Sequence, residues 1–270
     1  IHRYGNPYWL QWVDKTPELA DMPTGFVSAS SMGSFYWRLP RGIRRLIAES
    51  LRKRKYVSVR DRWTKWMIGT LDPRLGLSAH LSTDPVFTLP DHIDLSKISL
   101  SQLGLPERYI LFCGGRHFSD DHEWIAEFTR LANLAGLQVV ELPTPESWAQ
   151  GVPVDYSLPI GLSPLEWWAV IAGAHGYVGI RFHSIVASIA HNVPFFAIDD
   201  YGHDLPSSLR MNYPSKTFDL CRRCGMGKSV ARPRAFFCRE PRAILDRLLS
   251  GEPSCVFRER ARSLVNRDVA

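Results

Sequence analysis

Gly179-Ile180-Arg181-Phe182-His183-Ser184 places a guanidinium, an aromatic ring and an imidazole at three consecutive positions. Arginine offers a planar fork to a carboxylate or phosphate, and histidine exchanges a proton near neutral pH. A short apolar strand ending at this run delivers both groups to the start of a helix. Backbone N–H groups at such a helix start add positive potential. If the run stays extended, residues 181 and 183 point the same way. The combination suits a small anion that needs a proton donor. The plainer reading has Arg181 in a structural ion pair and His183 capping the helix.

Other residues fit the same chemistry. Arg60-Asp61 ends an earlier strand in the same manner, so Arg60 could present its fork to an anion, or pair with Asp61 or another acid. Lys216, in Tyr213-Pro214-Ser215-Lys216, could add a third positive charge. Gly114-Gly115-Arg116-His117 follows another strand; it reads either as a tight turn or as an acceptor contact through Arg116 and His117. Cys221-Arg222-Arg223-Cys224 with Cys238 supplies one zinc-like CxxC half and lacks a fourth ligand unless His203 or Cys255 provides it. Small apolar residues one helical turn apart explain the same spacing, and no metal is expected.

These residues need strands to carry them. Phe26–Ser30 reads as a strand and Pro40–Arg54 as a helix, with Ile43, Leu46, Ile47 and Leu51 at helical spacing. Tyr56–Val59 is a strand ending at Arg60-Asp61, Trp63–Ile68 a short helix, and Ala79–Ser82 a third strand. Residues 86–106 read as a linker. A second series comes next: a strand at Tyr109–Cys113, a helix at Asp121–Ala135, a strand at Leu137–Leu142, and a helix opened by Ser163-Pro164. After these come a strand at Tyr177–Ile180, a helix at Ser184–His191 and a strand at Pro194–Ile198. A helix-like stretch covers Thr217–Arg223, and two helices, about 240–250 and 257–267, close the chain. Strands alternating with helices predict an α/β fold of two Rossmann-like domains, residues 1–90 and 91–270, with parallel sheets facing a cleft.

Bulk properties restrict the class. Hydrophobic residues form 45% of the 270 and charged residues 22%, as in a globular protein with its own core. No stretch is apolar for long enough to span a bilayer. The start, Ile1-His2-Arg3-Tyr4-Gly5, has neither a signal-type apolar segment nor an initiator Met, so the expectation is a chain that begins inside a longer protein. Five cysteines, one of them in an expected core strand, point to a reducing cytoplasm. A net charge of +6 favours anionic partners. Much of it lies on the helix face from Arg41 to Lys55, which lacks interleaved stacking aromatics, so no nucleic-acid partner is expected. That face reads first as solvated; peripheral docking to anionic lipid is the second reading.

In order along the chain, these segments resemble the polysaccharide pyruvyl transferase family. Ser58-Val59-Arg60-Asp61 is similar to its S-V-R-D element, and Thr83-Asp84-Pro85-Val86-Phe87 to its D-P-[AS]-[FL] element. Arg181-Phe182-His183 resembles its R-[LF]-H. Ala187 to Pro194 resembles A-x-x-x-G-x-P, with Asn192 in the glycine's place, where Asn tolerates the same left-handed turn. Tyr213–Lys216 is similar to its Y-x-x-K. The likeness runs from about 26 to 230.

The resemblance implies a GT-B-like pair of domains that binds phosphoenolpyruvate and transfers its pyruvyl group to a saccharide or lipid-linked saccharide, without a metal or redox cofactor. It implies that Arg60, Arg181 and Lys216 hold the anion and that His183 is the general acid. His203 competes with Lys216 for its role. A lipid-linked acceptor would suit a cytoplasmic enzyme lying peripherally on the inner membrane face. The family's G-x-N-x-G-D-like element is absent, which implies a truncated chain or an abbreviated first domain. Two other readings remain: a GT-B glycosyltransferase using a nucleotide sugar, although no Glu-x(7)-Glu-like donor motif follows Tyr177–Ile180, and a non-catalytic module that binds a glycan or phosphate.

Overall fold

The computed structural model describes residues 14–19, 22–31, 39–114, 121–143, 152–159, 161–199, 215–251, 259 and 261–263. The chain divides into two compact units. One comprises Ile1–Pro85, Tyr201–Leu220 and Ser263–Ala270, the other Val86–Asp200 and Cys221–Arg262.

The first unit contains β1 (Gly25–Ala29), α1 (Arg41–Arg52), β2 (Tyr56–Val59), α2 (Arg62–Leu71), α3 (Pro73–Ser78) and β3 (His80–Leu81). Its three strands run parallel in the order β1-β2-β3. Ile47 and Leu51 of α1, Val59 of β2, and Met67 and Ile68 of α2 form the core. The stripe expected on α1 is narrower than its sequence suggests, because Leu46 is 40% exposed. Its basic face is largely engaged. Arg45 pairs with Glu49 at 2.8 Å and Arg52 with Asp72 at 2.6 Å. Arg54 turns inward to Asp14, Thr24 and Ser50. Arg41 and Lys55 stay exposed.

The second unit contains β4 (Tyr109–Cys113), α4 (His122–Leu134), β5 (Gln138–Glu141), β6 (Tyr156–Ser157), α5 (Pro164–Ala172), β7 (Gly176–Gly179), α6 (Phe182–Ala190) and β8 (Phe195–Ile198). Next comes α7 (Lys216–Arg223), whose first five residues belong to the first unit; β9 (Val230–Ala231), α8 (Pro233–Phe237) and α9 (Pro241–Leu249) complete the series. The sheet is parallel throughout, in the order β6-β5-β4-β7-β8-β9. The chain winds outward from β4 through β5 to β6. It then returns to β7 on the other side of β4, so the topological switch lies between β4 and β7. Ile110, Phe112, Val139 and Val178 face α4 and α9 across one side of the sheet, packed on Phe128 and Leu245.

Local sequence explains the element ends. Ser163 and Glu166 form a capping box on α5, with Pro164 in its first turn. Asn192 takes a left-handed φ of 59° after α6, as its place in the sequence suggested. The stretch expected as a plain linker contains 3-10 turns at Pro85–Asp91, Leu95–Lys97 and Ser101–Leu103. No helix among the described residues is long and apolar enough to cross a membrane. The architecture is the expected α/β class with parallel sheets.

Packing and burial make two outcomes testable. A Cβ on Gly76 would sit 2.4 Å from the Gly69 Cα, whereas a Cβ on Gly69 would meet Gly76 at 3.5 Å, an ordinary contact. Gly76→Ala should therefore cost roughly 1–3 kcal/mol, the scale of overpacking. Gly69→Ala should stay within about 1 kcal/mol of the parent. Urea unfolding of the two variants checks the contrast. Glu141 is buried and accepts a 2.8 Å hydrogen bond from the Ser157 hydroxyl. Burial raises its carboxyl pKa, and the Ser157 bond offsets part of that rise. The native state thus holds this proton more tightly than the unfolded chain, so the ionised carboxylate lowers stability as pH climbs above the ordinary value of 4.5. Glu141→Gln should be more stable than the parent at neutral pH, with the advantage shrinking below that value.

Candidate anion-binding site

In the first unit, the C-terminal strand ends hold a network of hydroxyl groups. Ser28 has a left-handed φ of 53° at an irregularity in β1, an uncommon conformation for a residue other than glycine. Its N–H donates to the Ser58 hydroxyl at 2.9 Å, and its own hydroxyl donates to the Thr83 carbonyl at 2.6 Å. This ties β1 to the segment that carries Asp84. Arg60 Nη1 donates to Asp84 Oδ2 at 2.6 Å, and both side chains are largely buried. The structure thus settles which acid pairs with Arg60: it is Asp84. Asp61 instead caps α2, accepting from the Thr64 N–H at 2.7 Å and the Thr64 hydroxyl at 2.8 Å.

Lys216 is the first residue of α7 rather than part of a preceding turn. Ser215 precedes it, and the Ser215 hydroxyl accepts from the Phe218 N–H at 3.2 Å. One turn further on, buried Asp219 accepts from the Arg62 N–H at 3.3 Å and lies 3.6 Å from Arg62 Nε. A carboxylate at the start of α2 is favourably placed against the helix dipole. Arg60 and Lys216 therefore lie in one unit, on elements joined through Arg62 and Asp219. No sequence signal singled out Asp219, because its role depends on a helix 157 residues away in sequence.

Arg181 and His183 lie in the second unit, at the carboxyl end of β7 beside the switch with β4. Open parallel sheets bind ligands at such a point. The geometry corrects the extended reading of this run. Helix α6 starts at Phe182, two residues earlier than expected, and Arg181 is its N-cap with φ −84° and ψ 120°. His183 is thus in the first helical turn, so residues 181 and 183 do not share one side of an extended segment. Phe182 is buried and anchors the turn, while His183 is exposed. Arg181 makes no side-chain cap. Instead its backbone N–H donates to the Tyr177 hydroxyl at 3.2 Å.

Beneath Arg181 lies the Cys113 thiol at the end of β4. Burial pushes that thiol up to about 12, while the adjacent Arg181 guanidinium and a hydrogen bond with Tyr177 work against the rise. Sequence reasoning placed Cys113 in the core but did not connect it or Tyr177 to Arg181. The available signal was spacing: Tyr177 and Gly179 lie two apart on β7, and Arg181 follows at the same step just past its end.

Arg116, His117 and His203 lie outside the described residues. Cys221 is buried on α7, Cys224 is buried in the turn just after it, and Cys238 is exposed at the end of α8. Burial pushes the Cys221 thiol up, with Cys224 and then Asp199 adding to it. Among the described residues no group of three or more His, Cys, Asp or Glu is gathered as a metal site.

Comparison with known proteins fits this architecture. A UDP-GlcNAc 2-epimerase from Methanocaldococcus jannaschii superposes with a TM-score of 0.52 at 9% identity, over 90% of this chain and 64% of that one. The likeness is one of fold, and the chain spans 64% of the epimerase's length. A UDP-forming α,α-trehalose-phosphate synthase from Burkholderia vietnamiensis gives 0.46 at 11% identity, over 97% and 70% of the two chains. TcCGT1 in complex with UDP gives 0.44 at 16%, over 98% and 66%. No curated protein matches in sequence. The sequence model of one family, described as polysaccharide pyruvyl transferase, matches residues 2–200 and so takes in Arg60, Asp84, Arg181 and His183. The chain belongs to the polysaccharide pyruvyl transferase family.

Proposed function

We propose that this chain moves the pyruvyl group of phosphoenolpyruvate onto a sugar of a bacterial polysaccharide, or of its lipid-linked precursor, and closes a pyruvate ketal. The observation that carries this reading is Arg181 at the N-cap of α6 at the sheet's switch point, with His183 exposed in the first turn beyond it. A cation, a helix N-terminus and an acid-base group then meet one anion.

Phosphoenolpyruvate brings a carboxylate and a phosphate, which suits arginine forks. His183 gives its proton to the methylene carbon, forming a C–H bond and leaving an oxocarbenium-like centre at the neighbouring carbon. One sugar hydroxyl adds to that centre. Phosphate departs with the electrons of its C–O bond, and a second hydroxyl adds to close the ketal. The two hydroxyl protons end on His183 and on the released phosphate. Arg60 and Lys216 are proposed as further anion-binding residues on the family resemblance, with His203 as the competitor of Lys216 and with Arg116 and His117 toward the acceptor. Arg60 already gives one nitrogen to Asp84, so its role includes orienting that acid. Exposed Arg41 at the start of α1 and Lys55 just before β2 would serve peripheral contact with an anionic inner membrane face.

Thermal unfolding with added ligand tests the reading. Phosphoenolpyruvate should stabilise the parent, Arg181→Ala should abolish the shift, and His183→Ala should keep it. Turnover in His183→Ala should fall by about 10²–10⁴, as expected for a lost general acid. Stabilisation by nucleotide sugars alone would sink the proposal.

A further inference from the structure

Helix α6, like α1, α4, α8 and α9, begins without a side-chain cap from its N-cap residue. Helices α2, α3 and α5 are capped by a side chain of their own N-terminal residue, Asp61, Asp72 and Ser163 respectively. Arg181 provides no such cap, and the group that reaches its backbone is the Tyr177 hydroxyl, four residues back on β7. Tyr177 is fully buried. A buried phenol needs a polar partner, and here the hydroxyl accepts from the Arg181 N–H and lies against the Cys113 thiol and the Ser184 side chain in the first turn of α6.

The strand is built to admit that hydroxyl. Between Tyr177 and Arg181 sits Gly179, where a Cβ would lie 2.6 Å from the Tyr177 hydroxyl, 2.6 Å from the Cys113 carbonyl oxygen and 2.7 Å from the Cys113 Cβ. The phenol therefore occupies the space that a side chain at 179 would take. Cys113 and Gly179 are register partners across β4 and β7, so the contact lies at the switch point itself.

We propose that Tyr177 is a positioning residue: its hydroxyl, passing over Gly179, fixes the backbone of Arg181 and with it the direction of the anion-binding guanidinium. The Cys113 thiol lies beside the same guanidinium at the end of β4. Burial holds the phenol protonated far above its ordinary range, so the hydroxyl stays available at every working pH. The inference rests on the phosphoenolpyruvate reading only for the identity of the anion.

Tyr177→Phe removes the hydroxyl and keeps the ring, so the fold is retained. Two measurements on the full chain decide the role. The first is hydrogen exchange at the Arg181 amide followed by NMR, which should accelerate in Tyr177→Phe while neighbouring β7 amides hold. The second is phosphoenolpyruvate affinity by calorimetry, which should weaken roughly three- to tenfold, the scale of one hydrogen bond. In an Arg181→Lys background the same substitution should cost little more, because the lost partner acts through Arg181. Unchanged Arg181 exchange would overturn the inference. So would an equal affinity loss in both backgrounds. A parent protein that ignores phosphoenolpyruvate would end the donor reading, while the exchange rates would still decide whether Tyr177 holds Arg181.

Discussion

At Gly179 the backbone of β7 runs so close to β4 that the room for a side chain is taken by the Tyr177 hydroxyl and by Cys113. That approach governs the next residues along the chain. Only a residue without a Cβ lets β7 lie flush with β4, and only then can the phenol reach the Arg181 amide. Helix α6 can start immediately beyond, with Arg181 at its N-cap and Phe182 packed into the core. The arginine stands at the positive end of a helix, where an anion gains from both.

The first unit solves a similar problem differently. Its strand ends have no comparable glycine among the described residues, and Ser28 takes the left-handed backbone at φ 53° instead. Hydroxyl groups of Ser28, Ser58 and Ser82 lock the three strand ends together, and Asp84 is held against Arg60. A strained, partly buried serine in a polar network persists only where its surroundings fix it. The two family segments around Arg60 and Asp84, distant in sequence, are thus one structural feature. Lys216 joins the same unit through α7, whose Asp219 faces the start of α2.

Much of this was legible in the sequence, for identifiable reasons. Long periodic segments such as α1 and α4, and continuous apolar runs such as β4, carry their own signal, and their ends fell within a residue or two of expectation. So did the left-handed Asn192 and the Ser163 start of α5, although its Glu166 partner was not singled out. The two-residue strands β6 and β9 were missed because neighbours, not local pattern, make them strands. The start of α6 was placed late because its N-cap Arg181 is held through its N–H by a tyrosine on the preceding strand, which no local rule reads. Arg181 and His183 could be named from their types, but their disposition could not. Arg60 offered a fork in the sequence, yet its partner Asp84 is a tertiary fact.

If the N-terminus of α6 is where the chain receives its anionic donor, the amides there must respond to that donor. Backbone amide shifts on titrating phosphoenolpyruvate into isotope-labelled protein test this most directly. The largest saturable changes should fall on Arg181, Phe182, His183 and Ser184. Saturable changes confined to the basic residues of α1, with these four amides unmoved, would contradict it.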